Sequence, residues 1–223
     1  MRAVRAAFHD ECVTLGGVLR GLGPADLDRP TGCPPWRVRE LIAHVSTGAG
    51  RLAGMLAAPA PGRAEVDAAG YFGAAKFAPE VDRARIDSAR REARELPDPA
   101  AVAAEFGRAW RAADAAVGRQ PVDQVVRTRH GDAMALSEFL VTRVVEVGVH
   151  GLDLAAALGR APWLTPAAAE VVAALLTGGR DVPAEFGWDR LTLVRKATGR
   201  APLTDRDRAA AEGAGLRWLA FGG

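Results

Sequence analysis

Residues 135–158 constrain this chain more than any other stretch. At about 100° per residue, Leu140, Val141, Val144, Val145, Val147, Val149, Leu152, Leu154 and Leu158 take up most of a helix's circumference. Arg143, Glu146, His150 and Asp153 fall within one arc roughly 80° wide. A helix this apolar has to be enclosed by other elements, so the chain must build a layer around it. The polar stripe then has two possible settings. It faces a narrow band of solvent, where Arg143/Glu146 and Glu146/His150 are ordinary pairs three and four residues apart. Or it faces an internal polar site.

The enclosing elements read as helices too. Residues 2–22 place Val4, Phe8, Leu15, Val18, Leu19 and Leu22 on one broad face, and Gly21 and Gly23-Pro24 end the run. A second helix is expected over residues 35–57, because proline suits a first helical turn. Residues 99–117 are amphipathic through Val102, Phe106, Trp110, Ala113 and Val117. With residues 135–158 these make four long helices, the pattern of an all-α four-helix bundle. Residues 80–95 read as a charged helix, and 119–134 as irregular with a β-like run at 125–128. Residues 59–79 are rich in Pro, Gly and Ala and read as a long loop or lid. After residue 160 come short helical patterns near 165–177, 188–198 and 204–220, the last opened by Thr204 with Asp205 and Asp207 in its first turn. Residues 1–160 are thus expected to form the bundle and 161–223 a small helical extension, too short for a second full domain.

Composition narrows the function classes. Among 223 residues, 29 basic and 27 acidic side chains leave a net charge of +2, with no basic cluster of the kind nucleic acid requires. No apolar run reaches the roughly 20 residues of a membrane span, and no signal peptide is evident at the N-terminus. Two cysteines, Cys12 and Cys33, make no disulfide framework, so the expected compartment is the cytoplasm. Lysine occurs only at 76 and 196, isoleucine only at 42 and 86, and asparagine not at all. Ala, Arg, Gly and Pro fill their place, which is the signature of a high-GC bacterial genome.

Glu146 and His150 project from one helix face a turn apart, a spacing that two ligands of one metal ion can use. A third ligand has to come from another helix. Of the four histidines, His9, His44, His130 and His150, the best placed is His44 on the second helix; the plain alternative is a core-edge histidine bonded to a backbone carbonyl. His130 reads as a loop residue beside the same pocket and His9 as a surface residue. Two nitrogens and one oxygen suit zinc, with nickel, cobalt and iron also compatible. Three protein ligands leave an open position for water or substrate.

Two segments then resemble a known family. Cys33-Pro34-Pro35-Trp36-Arg37-Val38-Arg39-Glu40-Leu41-Ile42-Ala43-His44-Val45 is similar to the C-x-G-W-T/S-V-R/K-D/E-L-x-A-H-L/V segment of the mycothiol-dependent maleylpyruvate isomerase family. Arg143-Val144-Val145-Glu146-Val147-Gly148-Val149-His150-Gly151-Leu152-Asp153-Leu154 resembles its R-x-x-E-x-x-x-H-x-x-D-L/I segment. Residues 197–203, Thr198-Gly199-Arg200 among them, look like a T-G-R-x-P-L stretch of its shorter members. The resemblance implies a DinB-like metal-binding bundle. It further implies a divalent metal, usually zinc, on His44, Glu146 and His150, with the thiol mycothiol as co-substrate. Three departures stand out. Pro35 replaces a glycine, Gly148 stands where a bulky aromatic is common and could open a pocket, and the tail is shorter than the isomerase's C-terminal domain, leaving Arg200 as the nearest match to its substrate-binding arginine.

These readings lead to a metal-dependent enzyme that uses a borrowed thiol for cis–trans isomerisation of an unsaturated acid by addition and elimination. The alternatives are a mycothiol S-transferase acting on electrophiles and a non-catalytic metal-binding bundle. Asp153 is the candidate to orient a ligand or bind the thiol. Arg143 is the candidate for a substrate carboxylate or a pair with Glu146. Trp36 walls the pocket or anchors the helix start. Cys33 is expected to pack as a small residue. The partners are a small-molecule substrate and a low-molecular-weight thiol, with no nucleic acid and no membrane, in a monomer or homodimer.

Overall fold

The computed structural model describes residues 1–73, 78–182, 184–217 and 219. Helix α1 (Arg2–Arg20) buries Phe8, Cys12, Leu15 and Leu19. Helix α2 (Val38–Ala57) begins three residues later than the proline pattern predicts. Pro30 and Arg37 form an antiparallel bridge, and the Thr31 amide and hydroxyl both donate to the Trp36 carbonyl, at 3.3 and 2.7 Å. Cys33–Trp36 is therefore a tight turn, and the helix starts where Glu40 Oε2 accepts the Arg37 amide at 2.9 Å.

The stretch read as a loop or lid is tied down from Glu65 to Tyr71. The amides of Glu65 and Val66 donate to the Ala133 carbonyl at 2.8 and 3.2 Å, and Glu65 Oε2 accepts the Ala133 amide. A single-turn helix α3 (Ala68–Tyr71) follows, capped by Asp67 and held by Glu138 Oε2, which accepts the Ala68 amide at 2.9 Å. The remainder of that stretch at residues 74–77 lies outside the described residues. Helix α4 (Pro79–Arg94) is the charged helix, and α5 (Pro99–Val117) starts from an Asp98 cap.

Strand β1 (Val125–Arg127) pairs antiparallel with β2 (Ala133–Ala135), a partner that the sequence reading did not find. The apolar helix is α6 (Leu136–Ala157). Helices α7 (Pro166–Thr177) and α8 (Arg190–Ala197) open on Thr165 and Asp189 caps. Helix α9 (Asp205–Ala214) opens on a reciprocal cap in which the Thr204 amide donates to Asp207 Oδ2 and the Asp207 amide to Thr204 Oγ1. It ends earlier than its sequence pattern, at Gly215 with φ 62°.

Helices α1, α5, α2 and α6 form a ring in which each packs on the next. Gly50 of α2 sits so close to α5 that a Cβ there would lie 3.0 Å from Ala109 Cβ. Helix α4 covers α2, while α7 lies on α1 and α6, and α8 on α7 and α6. One apolar cluster runs through the bundle into α7 and α8. Gly148 does not open a pocket: Leu164, from the link to α7, fills the space, and Trp163 does the same at Gly151. Among the described residues no helix is long and apolar enough to cross a membrane. The architecture is an all-α, DinB-like four-helix bundle with further short helices and one small hairpin.

Candidate metal centre

Enclosure of α6 by its neighbours decides where the polar stripe points. Arg143, Glu146, His150 and Asp153 are only 3, 9, 6 and 5% exposed, so the stripe faces an internal site and not solvent. Helix α2 lies against this face and brings His44 to it. The Nε2 atoms of His44 and His150 both stand 3.6 Å from Glu146 Oε2, and the two rings meet edge to face with centroids 5.3 Å apart. The three donor atoms lie within 4.8 Å of one another. Bonds of 2.0–2.1 Å in a tetrahedral zinc site put neighbouring ligand atoms about 3.4 Å apart, close to the 3.6 Å from each histidine to Glu146.

At His44 the electrostatics fit as well. Burial lowers the His44 pKa to about 4, outweighing the contacts with Glu146 that favour its charged form. His44 is therefore a neutral imidazole at neutral pH, the form that binds metal. Its ring stacks on Trp36, centroids 4.7 Å apart, which places Trp36 in the wall of the site as well as at the helix start. His44 keeps 18% of its side chain exposed, so the site is open on that side.

Behind His150 lies a second layer. Its Nδ1 is 2.9 Å from Asp153 Oδ2, and Arg200 grips the same carboxylate with Nε at 2.9 Å from Oδ1 and Nη2 at 2.8 Å from Oδ2. Cys33 Sγ donates to Asp153 Oδ2 at 3.2 Å, so this cysteine does more than pack. Burial opposes charge on both members of the His150–Asp153 pair. The contacts outweigh it: His150 is lifted well above the usual histidine value, and Asp153 is held well below the usual carboxylate range by His150 and Arg200.

Arg143 backs Glu146 from the other side. Its Nη2 is 3.7 Å from Glu146 Oε1 and donates to the Tyr71 hydroxyl at 3.4 Å, while Nη1 donates to the Gly48 carbonyl at 3.3 Å. Its guanidinium lies over the Phe139 ring at 4.7 Å. The Tyr71 ring in turn touches His130, centroids 5.8 Å apart, which links the hairpin loop to the site. His9 is remote from this cluster and pairs with Asp10 near Trp110. Sequence reasoning missed Tyr71, whose stretch has no periodicity to mark it. It named Arg200 only through the T-G-R resemblance, and the structure brings that residue to Asp153.

Fold and inner face together define a DinB-like bundle with a His/Glu/His cluster between α2 and α6. The sequence profile of the mycothiol maleylpyruvate isomerase N-terminal domain matches residues 8–155, and the chain belongs to that family. A crystal structure of the mycothiol-dependent maleylpyruvate isomerase superposes with a TM-score of 0.60 at 17% identity, covering 89% of this chain and 88% of that one. A crystal structure of a histidine-to-alanine mutant of the mycothiol-dependent maleylpyruvate isomerase gives 0.53 at 17% identity, covering 78% of this chain and 68% of that one. At this identity the structural likeness is one of fold. No curated protein matches the sequence.

Proposed function

We propose that the chain is a metal-dependent enzyme that uses a low-molecular-weight thiol, mycothiol in its family, to isomerise a cis-unsaturated acid. The observation that carries this reading is the convergence of His44 Nε2 and His150 Nε2 on Glu146 Oε2 inside the bundle. Residues 1–160 supply these three side chains and 161–223 supply Arg200.

A divalent ion such as zinc held by His44, Glu146 and His150 would supply Lewis-acid chemistry, lowering the pKa of a thiol at its open position. His44 presents a neutral nitrogen, and Trp36 fixes the plane of its ring. Asp153 accepts from His150 Nδ1 and so turns Nε2 toward Glu146. Arg143 holds Glu146 and Tyr71 in place from the buried side. Addition of a thiol sulfur to one alkene carbon turns the double bond into a single bond, rotation follows, and elimination returns the trans acid and the free thiol. The protein needs no nucleophile of its own. The site's open side is at His44, and loop residues at such an opening are suited to choosing the substrate.

The test is metal content by mass spectrometry on the purified protein and on His150→Ala, followed by product analysis with mycothiol and maleylpyruvate. About one ion per chain, absent from the variant, with fumaryl product and the thiol conserved, is the expected result. Absence of metal after reconstitution ends the reading. Bound metal with the thiol consumed converts it to an S-transferase.

A further inference from the structure

His150 belongs to two overlapping ligand sets. With His44 and Glu146 it offers Nε2. With Cys33 and Asp153 it offers a second group of ligand atoms, also within 4.8 Å of one another, on the side of Nδ1. The second set contains a thiol, and thiolate is a strong ligand for zinc. On ligand chemistry alone it competes with the first.

A cation already stands at the second set. Arg200 forks onto both oxygens of Asp153 at 2.9 and 2.8 Å, and its Nη2 is 4.0 Å from Cys33 Sγ. The Arg200 side chain is only 11% exposed, so solvent screens its positive charge little. Its placement comes from the C-terminal extension: Gly199, with φ 75°, ends α8, and the Arg200 amide returns to the Arg195 carbonyl at 2.6 Å. With Arg200 in place, a metal ion near Asp153 meets a like charge at close range. Asp153 is then left to accept from His150 Nδ1, which commits Nε2 to the first set.

We propose that Arg200 is a positioning residue that selects the ligand set: it bars metal from Cys33/His150/Asp153 and directs it to His44/Glu146/His150. The inference rests on the metal-site reading proposed above. It assigns to the C-terminal extension a part in building a site whose ligands all come from the bundle.

Cobalt(II) added to the metal-free full chain distinguishes the two sets, because only the second places sulfur on the ion. Wild type is expected to bind cobalt with no sulfur-to-metal charge-transfer band. Arg200→Gln is expected to gain that band and Arg200→Gln/Cys33→Ser to lose it again. The double variant should hold cobalt about 10–100-fold more weakly than wild type, the usual effect of removing support from a ligand. Arg200→Lys keeps the charge without the fork. It should show weakened binding and no band, and it carries the test if Arg200→Gln does not fold, in which case wild-type affinity in Arg200→Lys overturns the inference. A band in wild type, or none in folded Arg200→Gln, also overturns it. Failure of wild type to bind cobalt, or binding unchanged in His44→Ala, overturns the metal-site reading itself.

Discussion

Trp36 stacks on His44, ring centroids 4.7 Å apart and planes inclined by 30°. The indole is 8% exposed and belongs to the apolar cluster, so one side chain both anchors the start of α2 and covers a face of the imidazole. Trp36→Ala is expected to lower stability by about 3–5 kcal/mol and to weaken metal binding by freeing the His44 ring. Trp36→Phe should keep most of both. Denaturant melts and cobalt titration of the two variants check this, and equal cobalt affinity in wild type and Trp36→Ala would show that the stack does not hold the ligand.

Metal removal gives a second check. An ion that binds only the folded chain adds stability that grows with its excess over the dissociation constant, about 2.7 kcal/mol at a hundredfold excess. Chelation should therefore lower the melting temperature of the wild-type protein by several degrees. His150→Ala should melt at the same temperature with and without chelator.

Glu11 sets an expected pH dependence. Its side chain is fully buried on α1, with Oε2 accepting the Thr165 amide at 2.8 Å and Oε1 without a partner. Burial raises its pKa above the ordinary 4.5, against the lowering effect of Thr165. The folded state thus holds this proton more tightly than the unfolded chain. The stabilisation is complete below the unfolded value and is lost as pH rises through the folded one. Glu11→Gln keeps an acceptor for Thr165 and removes the buried charge. It should raise the melting temperature by about 2–4 °C at neutral pH, the shift that ~1 kcal/mol produces in a chain of this size, and give no gain near pH 4. A gain of equal size at both pH values would point away from the carboxyl.

The contact between Gly148 and Leu164 predicts the outcome of restoring an aromatic. A Cβ at Gly148 would already lie 2.7 Å from Leu164 Cδ1. Gly148→Phe should cost about 1–3 kcal/mol through overpacking, and adding Leu164→Ala should recover part of it. A double-mutant cycle on thermal stability measures the coupling, and additive effects would mean that the aromatic found room elsewhere.

Much of this protein is local and therefore readable from its residues. The period of α6 and the four-residue step from Glu146 to His150 need no neighbour to be seen, and the Thr204–Asp207 cap closes within one turn. His44 could be placed on α2 by the same periodicity. What faces what is another matter. Strand β2 pairs with β1, and the strap at residues 65–71 is anchored by Ala133 and Glu138; neither carries a pattern strong enough to mark it alone. Whether the polar stripe on α6 met water or other side chains depended on which helices closed over it. The layer behind His150 joins Asp153 to Arg200 across 47 residues and to Cys33 across 120. Helical periodicity reports which side chains share a face over a few turns. It carries no information about the partner brought to that face from a distant part of the chain, which only the packing of the folded bundle decides.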